Sequence, residues 1–453
     1  MSQETPISAA IVDFVVTVDR RSYEDEILDL AKRCLVDWVG VSVGGTVEAL
    51  DPVIRGAAVA IPSQGKARVL MEGKMAPAIA GLINGTLGHA LDYDDTHPDC
   101  LGHISTPCWA TVIALAQELD RSEIEALSAF ITGYEVAGAL FAPGMGPAIQ
   151  VRGFHPTSVF GRFAACAAAS VLLRLNSDQV QNAFGLMATT AAGLIGSLGT
   201  MSKPFHAGKE AMDGILSAQL AAHGFEAKTD LLDNDPGLAS TFVQDKSISF
   251  PTPNLTPGHQ LKRNAFKPYA CCKGTHPTLD AARSLASEVG DGAVDKIMLT
   301  VNPMHKRIAG KQNPTSPLSA KFSVSYCAAI GLAGFNGLPG DFAASRMADK
   351  HVMDLESRVT IKTDEAIGHN QVEISVAMAD GRTLEARTEC AKGNPDNPFD
   401  WNDIETKFSG VTEPVLGSRS LELFTVLRNF EKSGSLAAFD RLVMGSPAVE
   451  VAE

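Results

Sequence analysis

At 453 residues, with 45% hydrophobic and 20% charged side chains, the chain is long and apolar enough to bury two or three cores, and intrinsic disorder is excluded. Against 38 Lys and Arg stand 52 Asp and Glu, a net charge of −14, which argues against nucleic acid as a partner yet leaves room for a locally basic pocket holding a small anion. Eight dispersed cysteines without a C-x-x-C pair exclude a zinc ribbon, a thioredoxin-like site and a disulfide scaffold.

The opening MSQETPISAAIVDF has no basic leader before an apolar stretch and is not Arg-rich, so no secretory or transit segment is expected and the expected compartment is the cytoplasm. Residues 1–262 read as helices. Tyr23–Val43 places Ile27, Leu28, Leu30, Ala31, Cys34, Leu35 and Trp38 at helical spacing. Met75–Tyr93, Pro107–Glu118, Ile124–Leu140, Ser158–Leu175, Ser177–Ser197 and Lys209–Gly224 follow the same pattern, several rich in Ala and Gly, which predicts close helix packing. Loops are expected at Ala142–Pro147 and Asp233–Gly237. The most apolar stretches, Phe163–Leu173 and Phe184–Leu198, are too short to span a bilayer, so no membrane partner is expected.

After about Pro257 the period changes. Ile297–Val301, Arg358–Lys362 and Gln371–Met378 read as short strands, and the turn Ala379–Arg382 leads into Thr383–Thr388 with the Asp-Gly of a hairpin. Pro277–Val289 and Ser323–Ala333 read as helices between them. From about Pro398 the pattern is helical again, at Trp401–Phe408, Leu421–Phe430 and Leu436–Val443. The expected fold is mainly α: an all-helical domain over 1–262 completed by 400–453, with a smaller α+β domain over 263–399 inserted before the C-terminal helices.

The densest polar cluster runs from His89 through Asp92, Asp94, Asp95, Thr96 and His97 to His103. Its carboxylates and imidazoles suit acid–base work or a metal site; as plain structure they suit helix capping and loop hydrogen bonds. No H-x-x-x-H or H-x-x-E spacing supports a metal. His155, in Arg152–Ser158, precedes a helix start, and Lys203, in Ser202–Lys209, sits beside a second lysine and a histidine at another; both starts favour anions. Lys267, Cys272 and His276 lie at the expected domain junction, where ligand clefts form. There Lys267 suits a carboxylate clamp, Cys272 a proton donor or a small core residue, and His276 a cap. Tyr326 is a helical aromatic whose hydroxyl needs a partner if buried. No P-loop, G-x-S-x-G elbow or dinucleotide motif is present, so no organic cofactor is expected.

Five blocks in order, NGTLGHALDYDDTH (Asn84–His97), GFHPTSVFGRFAAC (Gly153–Cys166), GTMSKPFHAGKEAMDG (Gly199–Gly214), FKPYACCKGTH (Phe266–His276) and KFSVSY (Lys321–Tyr326), make the chain resemble the MmgE/PrpD family over almost its whole length. That family holds 2-methylcitrate dehydratases, cis-aconitate decarboxylases and iminodisuccinate epimerases. The resemblance implies a large helical domain with a smaller α+β lid, a homodimer, no cofactor or metal, and a small di- or tricarboxylate substrate bound between the domains. Matched block by block, it implies site positions at Asp92, Thr96, His103, His155, Lys203, Lys267 and Tyr326. Itaconate-forming decarboxylases resemble K-x-x-x-x-H at the fourth block, whereas this chain has Lys267 and Cys272.

The shared chemistry is removal of a proton next to a carboxylate, with Lys203 and Lys267 clamping carboxylates, helped by His155, and Asp92 or His103 as acid and base. The ranked expectations are a 2-methylcitrate dehydratase-like hydro-lyase, then an epimerase or isomerase, then a decarboxylase. Two readings from other classes are a silent carboxylate-binding protein and a metal-dependent hydrolase built on Asp92, Asp94 and His97.

Overall fold

The computed structural model describes residues 6–142, 144–244, 250 and 252–445; residues 1–5 of the opening segment and Pro143 of the expected Ala142–Pro147 loop lie outside the described residues. The protein is mainly α, with two small sheets. The expected long helices are present with shifted ends: Asp25–Gly45, Pro77–Ala90, Ser105–Glu118, Glu123–Phe141, Pro156–Leu172, Ser177–Thr190 and Ser202–Ala222. Side-chain caps fix several starts, as where Ser122 and Glu125 bond reciprocally to each other's backbone at the head of Glu123–Phe141.

Four readings of the sequence are corrected. The helix expected to reach Ser197 stops at Thr190, where the chain turns through Gly193, at φ +120°, and pairs Leu194 with Phe154. The helix expected from Lys209 starts at Ser202, because Pro204 lies in the first turn, where its missing N–H is no loss. Part of the expected Ala142–Pro147 loop is helical, with Met145–Val151 entered through Gly144 at φ +85°. The helix expected to end at Phe408 runs on through Pro414 to Leu416. Among the described residues one helix, Glu123–Phe141, is long and apolar enough to cross a membrane; it is instead mostly buried among its neighbours.

Small residues set the helix packing that builds the site. Helix Pro77–Ala90 crosses helix Ser202–Ala222 at Gly85 and Gly208, where a Cβ on Gly85 would lie 2.8 Å from the Gly208 Cα. That close approach brings the turn after Ala90 against the first turn of the second helix.

The larger sheet has the spatial order Val359–Thr363, Val294–Val301, Val372–Met378, Thr383–Thr388; the first pair is parallel and the others antiparallel. The hairpin forms at Asp380-Gly381, with Gly381 at φ +91° and Met378 N–H bonded to Arg382 O at 2.8 Å. Val372, Ile374, Val376 and Met378 alternate inward, onto helix His276–Val289. Apolar side chains form two cores. One draws on residues from Ile11 to Phe266 and again from Phe399 to Val443; the other runs from Tyr269 to Met378 and takes in Val41, Leu91, Tyr93 and Val411. The C-terminal helix Trp401–Leu416 packs on helix Asp25–Gly45, and the two cores meet at Leu91–Tyr93.

Candidate active site

Helix Pro77–Ala90 ends in a turn whose geometry carries the site. Asp92 has φ +50°, the left-handed conformation usual after a helix C-terminus and tolerated by Asp. Three successive carbonyls of this turn each accept a buried lysine ammonium. Lys321 Nζ donates to Leu91 O at 2.7 Å, Lys267 Nζ donates to Asp92 O, and Lys407 Nζ donates to Tyr93 O at 2.6 Å. These carbonyls lie just past the helix C-terminus, at the negative end of its dipole.

The Asp92 carboxylate is gripped by two of the expected clamps. Lys203 Nζ lies 2.7 Å and Lys267 Nζ 3.1 Å from Asp92 Oδ1. Burial pushes the Asp92 carboxyl up, but Lys203 and Lys267 outweigh it and hold the group ionised, well below the usual carboxylate range. Burial likewise opposes the Lys267 ammonium, and Asp92 more than compensates, so Lys267 stays charged. Lys203 also sits 2.8 Å from His89 Nε2. Burial, despite Asp94, pushes His89 down to about 3, so its ring is neutral and accepts from Lys203 while Nδ1–H donates to Asp94 at 2.9 Å.

Asp94 is the second anion. Its Oδ2 accepts Thr106 Oγ1–H at 2.7 Å and lies 3.0 Å from His103 Nδ1. Burial raises Asp94, but His103 and His89 hold it well below its ordinary value, so it is a carboxylate. With Nδ1 turned to Asp94, His103 leaves Nε2 free, 3.9 Å from Asp92 Oδ1, on the wall of a cavity of about 290 Å³. The arrangement suits a general base. His89, Asp92, Asp94 and His103 hold ligand atoms within 4.8 Å of one another. The donor set does not fit a metal, because two ammonium groups sit on Asp92 and one on His89.

The same cavity is lined by Asp92, Thr96, His103, His155, Lys203, Lys267 and Cys272, seven of the eight site residues picked from the sequence. Thr96 donates to Gly102 O at 2.9 Å, and its backbone pairs with Ala265. His155 stands at the N-cap position of helix Pro156–Leu172 without a side-chain capping bond, and sets Nδ1 3.0 Å from Nδ1 of His206. Burial, then Lys203, holds His155 well below its usual value, so it is neutral. Burial pushes the Cys272 thiol up to about 11, so it is a protonated thiol.

The eighth residue, Tyr326, does not line the cavity. Its ring is in the second core and its hydroxyl donates to Asp341 O at 2.7 Å, the partner a buried tyrosine needs. His97 is also elsewhere, with Nε2 3.2 Å from Gln260 Oε1, which removes the grouping of Asp92, Asp94 and His97. His276 holds the Cys271 carbonyl at 3.1 Å. Asp94, marked in the sequence only as part of a metal site, and His89 belong to its polar cluster, while His206 and Lys273 lie within two of its blocks without a marked role. The polar density marks the first two, but their roles come from Thr106 and His103, a turn or more further on, and from Lys203, 114 residues from His89.

A mainly α protein, with a polar cavity at the meeting of two cores and an Asp-oriented histidine on its wall, is built for acid–base chemistry on a small ligand. The MmgE/PrpD N-terminal domain pattern matches residues 9–251 and the MmgE/PrpD C-terminal domain pattern residues 269–430, so the chain belongs to the MmgE/PrpD family. It is similar to the human protein named cis-aconitate decarboxylase, at 26% identity over 94% of this chain and 92% of that one. It is also similar to the cis-aconitate decarboxylase of Aspergillus terreus, at 24% identity over 94% of this chain and 91% of the other, and to a cis-aconitate decarboxylase-like protein of Aspergillus oryzae, at 25% over 98% of each.

Proposed function

We propose that the protein is a lyase that removes a proton from a carbon next to a carboxylate of a small di- or tricarboxylate, in the manner of a hydro-lyase. The observation that carries this is the pairing of His103, facing Asp94, with an Asp92 gripped by Lys203 and Lys267 in one cavity. Each ammonium has three donors, and each of these two uses two on protein atoms, leaving one for a substrate carboxylate. That remaining donor stabilises negative charge developing on the carboxylate as the proton leaves. His103 Nε2 takes the proton, a carbon–carbon double bond forms, and hydroxide departs as water with a proton from the Cys272 thiol, which His103 returns to it. The printed names of the relatives favour a second reading, decarboxylation, in which a carbon–carbon bond breaks, carbon dioxide leaves and the carbanion takes the proton. Cys272, where the decarboxylase pattern carries histidine, favours the first.

Residues 263–399 act as a lid over the helical part, and the reaction runs without an organic cofactor. Eight free cysteines suit a reducing cytoplasm. A homodimer is proposed on the apolar side chains Leu194, Met201, Phe205 and Leu216, which are exposed on and beside helix Ser202–Ala222; sedimentation of a Phe205→Glu variant as a dimer like the wild type would count against that face. The main test is incubation with citrate-like and succinate-like acids in deuterated water. A new alkene with no gas supports the hydro-lyase, gas release the decarboxylase, and deuterium exchange without net loss an epimerase. No turnover and no exchange of any acid would overturn the lyase reading.

A further inference from the structure

Four buried lysines at this site are occupied. Lys203 and Lys267 close on Asp92, Lys321 holds Leu91 O, and Lys407 holds Tyr93 O and lies 2.5 Å from Asp37 Oδ1. Lys273 differs. It lines the same cavity, its Nζ is enclosed, and among the described residues that Nζ has no hydrogen-bond or ion-pair partner. Asp99, the carboxylate whose charge acts on it, has both oxygens on Arg263, at 2.9 and 3.1 Å.

An ammonium withdrawn from water without a counter-charge is costly, and ordinarily it is paired. Burial, then repulsion from Lys267, pushes the Lys273 ammonium down to about 7; Cys390, Asp99 and Arg263 act on it more weakly. An anion arriving in the cavity removes the cost by supplying the missing charge. The half-buried residue carries its ammonium on a flexible four-carbon stem, which lets it turn to meet that anion. Beside it, Gly274 abuts His305: a Cβ there would lie 3.2 Å from His305 Cδ2, and His305 and Asn370 line the same cavity with neutral polar groups.

We infer that Lys273 is a specificity-determining residue, the anchor for a substrate carboxylate remote from the reacting carbon, on the wall formed by Cys272–Gly274 and His305. The inference rests on the reading of the cavity as a carboxylate site. It separates two jobs: Lys203 and Lys267 attend the carboxylate beside the reacting carbon, and Lys273 selects acids that carry a further one.

The test is calorimetric binding to the full chain of two unreactive acids, tricarballylate and succinate, the second lacking one carboxymethyl group. Lys273→Met should weaken tricarballylate about ten- to hundredfold, the loss of one charge-assisted contact, and leave succinate within about threefold. Lys273→Arg keeps the cation and should restore most of the affinity; Lys273→Gln replaces the Met variant if that one does not fold. Tricarballylate binding equal to wild type, an equal loss for both acids, or binding of neither acid by the wild type would each overturn the inference. Binding is read without turnover, so a protein that selects tricarballylate through Lys273 yet converts no acid sinks the lyase reading and leaves this one standing.

Discussion

Asp94→Asn isolates the orienting carboxylate from the cavity. The replacement keeps the volume and one oxygen but turns the other into an amide N–H donor. Asp94 meets His89 Nδ1 at 2.9 Å, Thr106 Oγ1 at 2.7 Å and His103 Nδ1 at 3.0 Å. The oxygen facing Thr106 and His103 is the one that matters, because an amide there makes His103 present a bare Nδ1 and moves its proton to Nε2. The nitrogen assigned as base is then blocked. General acid–base catalysis contributes about 10²–10⁴-fold, or ~2.7–5.4 kcal/mol at 1.36 kcal/mol per tenfold. Turnover should fall by that factor. KM should hold within about threefold, because Asp94 does not line the cavity. Steady-state kinetics on whichever acid the panel identifies, with thermal melting as the control for folding, measures both. A folded Asp94→Asn protein with turnover within about threefold of wild type would refute the His103–Asp94 assignment.

Lys203→Met leaves Asp92 with half its counter-charge in a buried site and should cost about 3–5 kcal/mol of stability, read by chemical denaturation; a loss under ~1 kcal/mol would contradict the buried pairing. Tyr326→Phe removes only the bond to Asp341 O and should cost about 1 kcal/mol while leaving turnover intact; a hundredfold loss of turnover would return Tyr326 to the site. Five histidines are held neutral chiefly by burial: His155, held well below its usual value, His89, pushed down to about 3, and His97, His206 and His305, each to about 4. The unfolded chain protonates them near 6.5, so at these sites it binds more protons between about pH 4 and 6.5, and they lower stability as pH drops through that window; Asp95, Glu135 and Glu210, raised chiefly by burial, act in the opposite sense there, three sites against five. Each contributes up to about 1.4 kcal/mol per pH unit there; Asp92 and Asp94, held low, add their own loss only below about pH 3.9. Equal denaturation midpoints at pH 5 and pH 7 would contradict this.

Helical and strand periods exposed most of the fold, because apolar spacing is local. Boundaries were less legible where one residue decides them, as at Gly193 and Pro204. The polar density of residues 89–103 marked the site, but one carboxylate looks like the next in the string. Asp92 becomes a gripped anion through Lys203 and Lys267, Asp94 an orienting group through His103, and Asp95, pushed up to about 8 by burial and Asp37, a neutral acid hydrogen-bonded to Asn264 at 3.1 Å. Apart from His103, nine residues on from Asp94, those partners are distant in sequence and become neighbours only in the fold. Tyr326 shows the converse: its block matched the family, yet its hydroxyl serves the second core.

The turn after Ala90 is held through Lys267, Lys321 and Lys407, and Lys407 stands on the helix Trp401–Leu416. During synthesis the ribosome releases Asp92 long before any of these clamps exists. The turn therefore cannot reach its final shape until helix Trp401–Leu416 has emerged and docked. Nascent chains that stop short of that helix carry the chemistry-bearing residues without the geometry.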